Sequence, residues 1–409
     1  MKPRLVARSV RGLEWAVADE ISVRLPEADG ITMSGREVDF ELPALARGVL
    51  DLRLAEDLFL EAGRVTDVGK TRDVPASAAR RIAALDWTQA LTRLSAVREL
   101  PGRPRFDVVA SLQGQRNYNR FALENAVGWA LPPLLCGSYL ARTSEGRQTG
   151  EPDLTVRLFV SGTEARVTLR LADRPLHRRW YKQDTGPGTL HPPVAAALAR
   201  LAAAADGETV PDGETVPDGE TVPDGETVPA VATVADPFCG DGTIAIETAL
   251  ACPGCRVLAG DIDPVRLCHT RRNAARAGVT LSVTRLDSGL LPCAAGGIDT
   301  VVTNPPWNVA VDADGLLRSS MNRFWGQLPR LLSQRGRICL IADAGLDAPG
   351  QLRRMGYQLA LATQIRLAGR VSDVILCAPG EKDRPQVPAG LARWRHRAMA
   401  DGVITDAGF

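Results

Sequence analysis

One stretch of the sequence decides the fold: Val234-Ala235-Asp236-Pro237-Phe238-Cys239-Gly240-Asp241-Gly242-Thr243. Its apolar start is typical of a buried strand, and the glycines that follow indicate a tight turn that enters a helix. Gly240 and Gly242 allow a ligand to lie against bare backbone. The unpaired N–H groups at the start of the helix favour an anionic group such as a carboxylate. Asp236, at the end of the strand, can accept a hydrogen bond from an amino group of the same ligand.

The residues around this turn alternate short apolar runs with amphipathic segments. Strands are predicted at 231–235, 256–259, 281–284, 300–303, 337–341 and 374–378, and helices at 243–251, 264–277 and 319–333. Strands that alternate with helices pair mostly in parallel through right-handed crossovers. Ligands of such sheets bind beyond the carboxyl ends of the strands. We therefore expect a Rossmann-like α/β domain whose ligand lies at that edge.

The glycine turn alone leaves the identity of the ligand open. Gly240 to Ala245 also fits the dinucleotide pattern G-x-G-x-x-G/A, with Asp261 about twenty residues further on. Asp261 directly follows the second strand and can accept from both ribose hydroxyls, whereas Asp263 precedes a proline and can cap the next helix. Asp287 follows the third strand and can accept from an adenine amine. The candidate cofactor-binding residues are Asp236, Phe238, Gly240, Gly242, Thr243, Asp261, Ile262, Asp287 and Ser288.

A second motif follows the fourth strand and indicates the reaction: Asn304-Pro305-Pro306-Trp307, the four candidate catalytic residues. The prolines fix the backbone and remove two N–H donors, which leaves carbonyl oxygens as acceptors. The Asn304 side-chain oxygen and the Pro305 carbonyl can accept the protons of an exocyclic base amine and aim its lone pair at a sulfonium methyl. Trp307 offers a face for an unpaired or flipped base. This favours S-adenosylmethionine over a dinucleotide, and it leaves guanine and adenine both open.

The N-terminal half has a different layout. Strands are predicted at 5–10, 37–42, 106–112, 153–161 and 165–171, the last two as an antiparallel pair around Gly162, and helices at 13–25, 44–50 and 120–131. Strands and helices of this kind indicate an α+β arrangement.

The net charge of +1 conceals a basic protein. Residues 206–229 are four copies of Asp-Gly-Glu-Thr-Val-Pro that carry −8 together, so the rest of the chain carries +9. Residues 101–182 contain 13 Arg and Lys against 7 Asp and Glu, a moderate bias that is compatible with phosphate contacts. The repeat is predicted to be a solvated linker without chemistry, and it should be dispensable.

The sequence contains no signal-peptide pattern at its start and no apolar run of the ~18 residues that a membrane span needs. We therefore expect a cytoplasmic protein whose eight cysteines are reduced thiols. Cys252 and Cys255 have the spacing of a redox or zinc motif, but Cys268 and His269 are adjacent and poorly placed to complete a tetrahedral site. No metal is expected.

The motifs resemble those of a known family, the THUMP-containing class I RNA methyltransferases. The resemblance rests on Asp236 to Thr243, Gly260 to Pro264 and Asn304 to Trp307, and outside them on Ala7 to Glu14, Phe106 to Leu171, Leu176 to Lys182 and Gly188 to Pro193. It implies an RNA substrate and methylation of guanine N2. It also implies that Asp236, Gly240 and Gly242 form the cofactor turn, that Asp261 holds the ribose and Asp287 the adenine, and that Asn304, Pro305 and Trp307 hold the target base.

The resemblance implies a domain order, with an α+β N-terminal half and an α/β catalytic domain. The predicted parts are a ferredoxin-like domain at 1–60, a THUMP domain at 61–175, a connector at 176–205, the repeat at 206–229, a class I methyltransferase domain at 230–380 and a tail at 381–409. The predicted function is tRNA guanine-N2 methylation. A ribosomal RNA guanine-N2 enzyme and an adenine-N6 enzyme stay open, and an NAD-dependent oxidoreductase or a silent RNA-binding protein is the alternative from another class.

Overall fold

The computed structural model describes residues 2–141, 150–202, 231–306, 312–367 and 369–405. The repeat at 206–229 and Trp307 lie outside the described residues. The chain forms two compact units, one of Met1–Ser9 with Val17–Arg178 and one of Val10–Ala16 with Arg179–Phe409. Among the described residues, no helix is both long and apolar enough to cross a membrane.

The first part of the chain forms an α+β arrangement. Its elements are β1 (Arg4–Arg8), α1 (Glu14–Arg24), β2 (Asp29–Ser34), β3 (Glu37–Glu41), β4 (Asp57–Val65), α2 (Val74–Ala83), α3 (Trp87–Ser95), β5 (Arg105–Leu112), α4 (Arg120–Ala130), α5 (Pro132–Leu135), β6 (Ser138–Tyr139), β7 (Leu154–Ser161) and β8 (Glu164–Arg170). The strands form one sheet in the order β2-β3-β1-β4-β8-β7-β5-β6.

The structure tests several predictions for this half. The antiparallel pair around Gly162 is confirmed, because β7 and β8 pair from Val156↔Leu169 to Ser161↔Glu164. The helix predicted at 44–50 is wrong, since only a short 3-10 helix forms at Arg47–Asp51. Gly48 in the middle of that segment weakens helix propensity. The predicted boundary after residue 60 falls inside β4, which pairs with β1 on one side and β8 on the other.

The second unit contains the α/β sheet. Its elements are α6 (Pro192–Ala202), β9 (Thr233–Asp236), α7 (Thr243–Ala251), β10 (Arg256–Asp261), α8 (Pro264–Ala277), β11 (Ser282–Arg285), β12 (Ile298–Thr303), α9 (Asn322–Leu331), β13 (Leu332–Asp343), α10 (Ala348–Arg354), β14 (Tyr357–Leu367), β15 (Arg370–Pro379) and α11 (Ala389–Ala400). The strand order is β11-β10-β9-β12-β13-β15-β14.

The pairing confirms the predicted α/β class. β10 pairs in parallel with β11 and β9, and β12 pairs in parallel with β9 and β13. β15 is antiparallel to both of its neighbours, β13 and β14. The sheet is therefore parallel across its centre, which brings the ends of β9, β10, β12 and β13 to one edge.

Local sequence explains the two helices next to that edge. Gly242, with φ +83°, stands at the start of α7 in a conformation that favours glycine. Asp263 caps α8 by accepting from the Val265 N–H, as predicted, and Pro264 occupies the first turn. Gly278, with φ +70°, ends α8.

Other elements differ from the prediction. The helix predicted at 319–333 forms at Asn322–Leu331, and β13 begins at the next residue, Leu332. α6 lies in the segment that was predicted only as a connector, and ten of its residues are buried. α11 lies in the predicted C-terminal tail and buries Leu391, Trp394 and Ala398 at helical spacing.

Candidate active site

A cavity of about 610 Å³ lies in the second unit. Ten of the predicted site residues line it: Phe238, Gly240, Thr243, Asp261, Ile262, Asp287, Ser288, Asn304, Pro305 and Pro306. They come from the glycine turn and from the residues that follow β10, β11 and β12. Asp236 and Gly242 lie in the same turn without lining the cavity, and Trp307 lies outside the described residues. The structure thus brings together residues that the sequence spreads over more than sixty positions.

The two glycines of the turn have different surroundings. A Cβ on Gly242 would lie 2.8 Å from the Thr270 side chain, so this glycine allows α7 and α8 to pack closely. A Cβ on Gly240 would meet nothing within 4 Å, and Gly240 lines the cavity. Gly240 therefore presents bare backbone to a ligand, with space where a side chain would stand.

Asp236 is a buried carboxyl group with one oxygen free. Oδ1 accepts from the Thr303 hydroxyl (2.8 Å) and from the Phe238 N–H (3.3 Å). Oδ2 is buried and has no hydrogen-bond partner among the described residues. Burial raises the pKa of Asp236 to about 7. A buried oxygen of this kind is costly unless a ligand donates to it, and an ammonium group also restores its ionised form.

Backbone N–H groups orient the other two carboxylates. Asp261 accepts from the N–H of Gly240 (2.8 Å) and of Asp263 (2.9 Å), and burial raises its pKa. Asp287 accepts from the N–H groups of Gly289 and Leu316, each at 2.8 Å. Each carboxylate oxygen keeps a second lone pair, so both groups can still accept from ligand hydroxyls or amines.

The acceptor motif begins where β12 ends. Thr303, the last residue of β12, donates to Asp236, so this motif and the glycine turn are joined by a side-chain hydrogen bond. Asn304 is half-buried and Pro305 is buried, and both line the cavity. The hydrogen-bond acceptors of Asn304 and Pro305 and the bare backbone of Gly240 therefore line the same cavity.

Asp241, which lies between the two glycines, was not among the predicted site residues. Its Oδ1 accepts from His269 Nδ1 (2.9 Å), and its Oδ2 accepts from Arg266 Nη1 (2.6 Å) and from the Gly186 N–H (2.8 Å). Burial acts to raise the pKa of Asp241, but the hydrogen bonds from His269 and Arg266 hold it below its usual value. Asn273 adds hydrogen bonds to the carbonyls of Asp241 (3.0 Å) and Asp184 (2.8 Å).

These contacts fasten a wall of the cavity. Residues 187–190 line it, and they follow directly on the bonded residues Asp184 and Gly186. A signal was available in the sequence, because Arg266, His269 and Asn273 are spaced three and four residues apart on α8 and therefore share a face. His269 pairs with a carboxylate, and among the described residues no three His, Cys, Asp or Glu side chains are grouped to hold a metal ion.

The cysteines require a correction. Reduced thiols were predicted throughout, but Cys252 and Cys255 form a disulfide in the structure. The pair lies in the turn between α7 and β10, where Pro253 and Gly254 bring the two Cα atoms to 5.5 Å. That separation is within the range that a disulfide can span.

We expect Asp241→Ala to weaken cofactor binding more than it slows the chemical step. The substitution leaves Arg266 without its buried partner and releases the segment at 184–190, which costs about 3 kcal/mol of folding stability and raises the Kd of the cofactor about tenfold. Because the folded-state pKa of Asp241 is lowered, its ionised carboxylate stabilises the fold at any pH above the ordinary Asp pKa. This stabilisation is lost as pH falls through the folded-state pKa. Calorimetric titration measures the Kd, thermal unfolding measures the stability, and single-turnover methylation at saturating cofactor measures the chemical step. Asp401→Ala, in an exposed pair with Arg397, is the control, and an unchanged Kd in Asp241→Ala would contradict this role.

The sequence also matches known methyltransferases. The sequence-family model UPF0020, described as an RMKL-like methyltransferase domain, matches residues 229–371 of this chain. The chain is 31% identical over 343 residues to the tRNA (guanine(6)-N2)-methyltransferase of Thermus thermophilus. This alignment covers 82% of this chain and 88% of that protein.

Solved structures agree on the fold. The crystal structure of TrmN from Thermus thermophilus has a TM-score of 0.66 and 27% identity, over 92% of this chain and 99% of that chain. SMU.472, described as a methyltransferase complexed with SAH, has a TM-score of 0.64 over 92% of this chain and 98% of that chain. At 16% identity the second likeness shows the shared fold alone. The α/β unit is therefore a Rossmann-like class I methyltransferase domain.

Proposed function

Because this chain belongs to the family of tRNA guanine-N2 methyltransferases, we propose that it methylates the exocyclic N2 of a guanine in tRNA, and that this guanine is at position 6. S-adenosylmethionine is the methyl donor. The observation that carries the proposal is the meeting of two sets of groups in one cavity: the bare backbone at Gly240 and the acceptors at Asn304 and Pro305.

The residues of the turn fit the cofactor. The free, buried oxygen of Asp236 suits the ammonium of its methionine part, and the N–H groups at the start of α7 suit the carboxylate of that part. Asp261 and Asp287 keep lone pairs for the ribose hydroxyls and the adenine amine. Phe238, Ile262 and Ser288 complete the cavity wall next to these groups.

The chemistry that remains for the chain is positioning. The bound cofactor supplies a methyl group that its sulfonium already activates. The Asn304 side-chain oxygen and the Pro305 carbonyl would accept hydrogen bonds from the two N–H groups of N2 and so hold the amine with its lone pair available to the methyl donor. An amide oxygen is a very weak base, so Asn304 orients the amine, and the proton that the methylated nitrogen must lose goes to solvent. Trp307 supplies a stacking face for the base in this proposal.

We assign RNA capture to the N-terminal part of the chain. Residues 61–175 are proposed as a THUMP domain because Phe106 to Leu171 resembles the end of such a domain. The basic bias of residues 101–182 supports phosphate contacts. The eight-stranded sheet of the first unit is the framework that carries these residues.

The direct test uses the full chain, labelled S-adenosylmethionine and separated tRNA and ribosomal RNA. The RNA is digested to nucleosides, and a parallel sample is cut with a guanine-specific ribonuclease to locate the label. We expect N2-methylguanosine from tRNA, in the fragment that contains nucleotide 6. Label confined to ribosomal RNA, or recovered as N6-methyladenosine, overturns the proposal in favour of the corresponding alternative.

A further inference from the structure

We propose that Asp343 and Arg370 make the enzyme specific for guanine by binding its N1–H and O6 while Asn304 holds N2. This inference rests on the proposed function and deepens it. Both residues line the same cavity as Asn304, and neither belongs to the glycine turn or to the acceptor motif. The motif itself does not distinguish guanine from adenine, so another part of the cavity has to do so.

The order of the strands places these three residues at one edge of the sheet. Asn304 directly follows β12, Asp343 is the last residue of β13, and Arg370 is the first residue of β15. These three strands are neighbours in the order β12-β13-β15. Because β15 is antiparallel to β13, its first residue lies at the edge where β12 and β13 end.

Asp343 and Arg370 form an ion pair at that edge. Arg370 Nη2 lies 2.9 Å from Asp343 Oδ2, and the two side chains are 53% and 25% exposed. Asp343 Oδ1 accepts from the Gly345 N–H (3.0 Å), which fixes the plane of the carboxylate. Each carboxylate oxygen keeps a lone pair, and the guanidinium keeps further N–H donors. The pair therefore presents an acceptor next to a donor.

The dimensions suit one base edge. Neighbouring strands lie about 4.8 Å apart, so the three residues start from backbone positions that span about 10 Å. The side chains of Asp343 and Arg370 converge from these positions to a contact of 2.9 Å, so their remaining acceptor and donor atoms can bind neighbouring groups on one base edge. The groups on the edge of guanine follow in the order N2 amine, N1–H and O6. The chain offers the matching order of acceptor, acceptor and donor.

Adenine-like edges do not match. Adenine and 2,6-diaminopurine carry an unprotonated N1 next to an amine at position 6, which is the reverse of guanine. Either base would place a lone pair against the Asp343 carboxylate and an amine against the Arg370 guanidinium. Sites built to hydrogen-bond a substrate reject analogues that leave their polar groups unpaired. Asp343 and Arg370 would therefore supply the discrimination that Asn304 lacks.

The test compares guanosine with 2,6-diaminopurine riboside at the target position of a ligated tRNA. Both bases carry the amine at position 2, so both can be methylated there. For the wild-type enzyme we expect kcat/KM to be about 100-fold higher on guanosine. In Arg370→Ala and in the Asp343→Ala/Arg370→Ala double variant, the ratio should fall below about tenfold. The ratio is measured within one enzyme preparation, so the folded fraction cancels.

Arg354→Ala is the matched control, since Arg354 also pairs with an aspartate, Asp347, but lines no part of the cavity. Its ratio should equal that of the wild type. If the wild type methylates guanosine at N2 and the ratio stays near 100-fold in the cavity variants, or if the wild type accepts both bases equally, this inference fails and the proposed function stands. If the wild type does not methylate guanosine at all, the proposed function fails and this inference falls with it. The single variant Arg370→Ala decides the matter if the double variant does not fold, because Arg370 is an exposed side chain.

Discussion

Asn304→Ala is expected to lower kcat for tRNA methylation by about 1,000-fold while the Kd of S-adenosylmethionine changes less than about twofold. Asn304 lines the cavity directly after β12, where we propose that it meets the target base. The described side chains that hydrogen-bond to Asp236 and Gly240 are those of Thr303, Asp261 and Thr270. Without its oxygen, one N2 proton loses its acceptor and the lone pair is no longer aimed at the methyl group. The effect therefore falls on the chemical step.

Single-turnover methylation at saturating cofactor measures this change, and calorimetric titration measures cofactor affinity. Asn304→Asp is the matched variant, because its carboxylate also offers acceptors of the same reach and should restore part of the rate. A kcat for Asn304→Ala within about tenfold of the wild type would show that the amine is positioned by other groups. An equal loss of cofactor affinity would point to a structural role instead.

Asp236→Asn is expected to stabilise the cofactor-free protein at pH 8 and to weaken cofactor binding about 100-fold. Burial raises the pKa of Asp236 to about 7 from an ordinary value of 3.8. Below the ordinary value the carboxyl is neutral in both the folded and unfolded states, so it costs nothing. The free-energy cost of burying the ionised carboxylate grows as pH rises from the ordinary pKa to the raised one. Above pH 7 this cost amounts to ~4 kcal/mol. Asparagine has no charge to bury, but it also cannot pair with an ammonium group.

The two consequences have separate measurements. Thermal unfolding of the cofactor-free proteins should show Asp236→Asn above the wild type at pH 8 and the difference shrinking towards pH 4. In the wild type, the Kd of S-adenosylmethionine should rise by up to tenfold per unit as pH falls from 7 to 5, because the ionised carboxylate is the form that binds. Asp236→Asn should lack this dependence. Undiminished cofactor affinity in Asp236→Asn would remove Asp236 from the cofactor site.

The α/β sheet could be predicted because its signals are local. The limits of α7 and α8 are those predicted, since a glycine turn and an Asp-Pro cap specify where each helix starts. The same signals predicted that these residues lie close together, because the ends of parallel strands meet at one edge whatever the rest of the sheet does. Ten predicted residues line the cavity for this reason.

What could not be predicted depends on contacts between distant segments. Asp343 and Arg370 meet because β15 inserts between β13 and β14 in reverse direction, and no local pattern encodes that strand order. The partners of Asp241 come from α8 and from the segment at residue 186, which are far apart in sequence. α6 had a signal that was overlooked, since two prolines followed by an alanine- and leucine-rich run suit a helix.

We propose that the exocyclic amine of guanine is the group methylated, and inosine tests this most directly. Inosine is guanosine without the amine at position 2, and it keeps N1–H and O6. The measurement compares label transfer from S-adenosylmethionine to two ligated tRNAs that differ only by guanosine or inosine at the target position. We predict that the guanosine tRNA is methylated and that the inosine tRNA receives no label there. Equal labelling of the two tRNAs would contradict the account, because the methyl group would then be going to another atom.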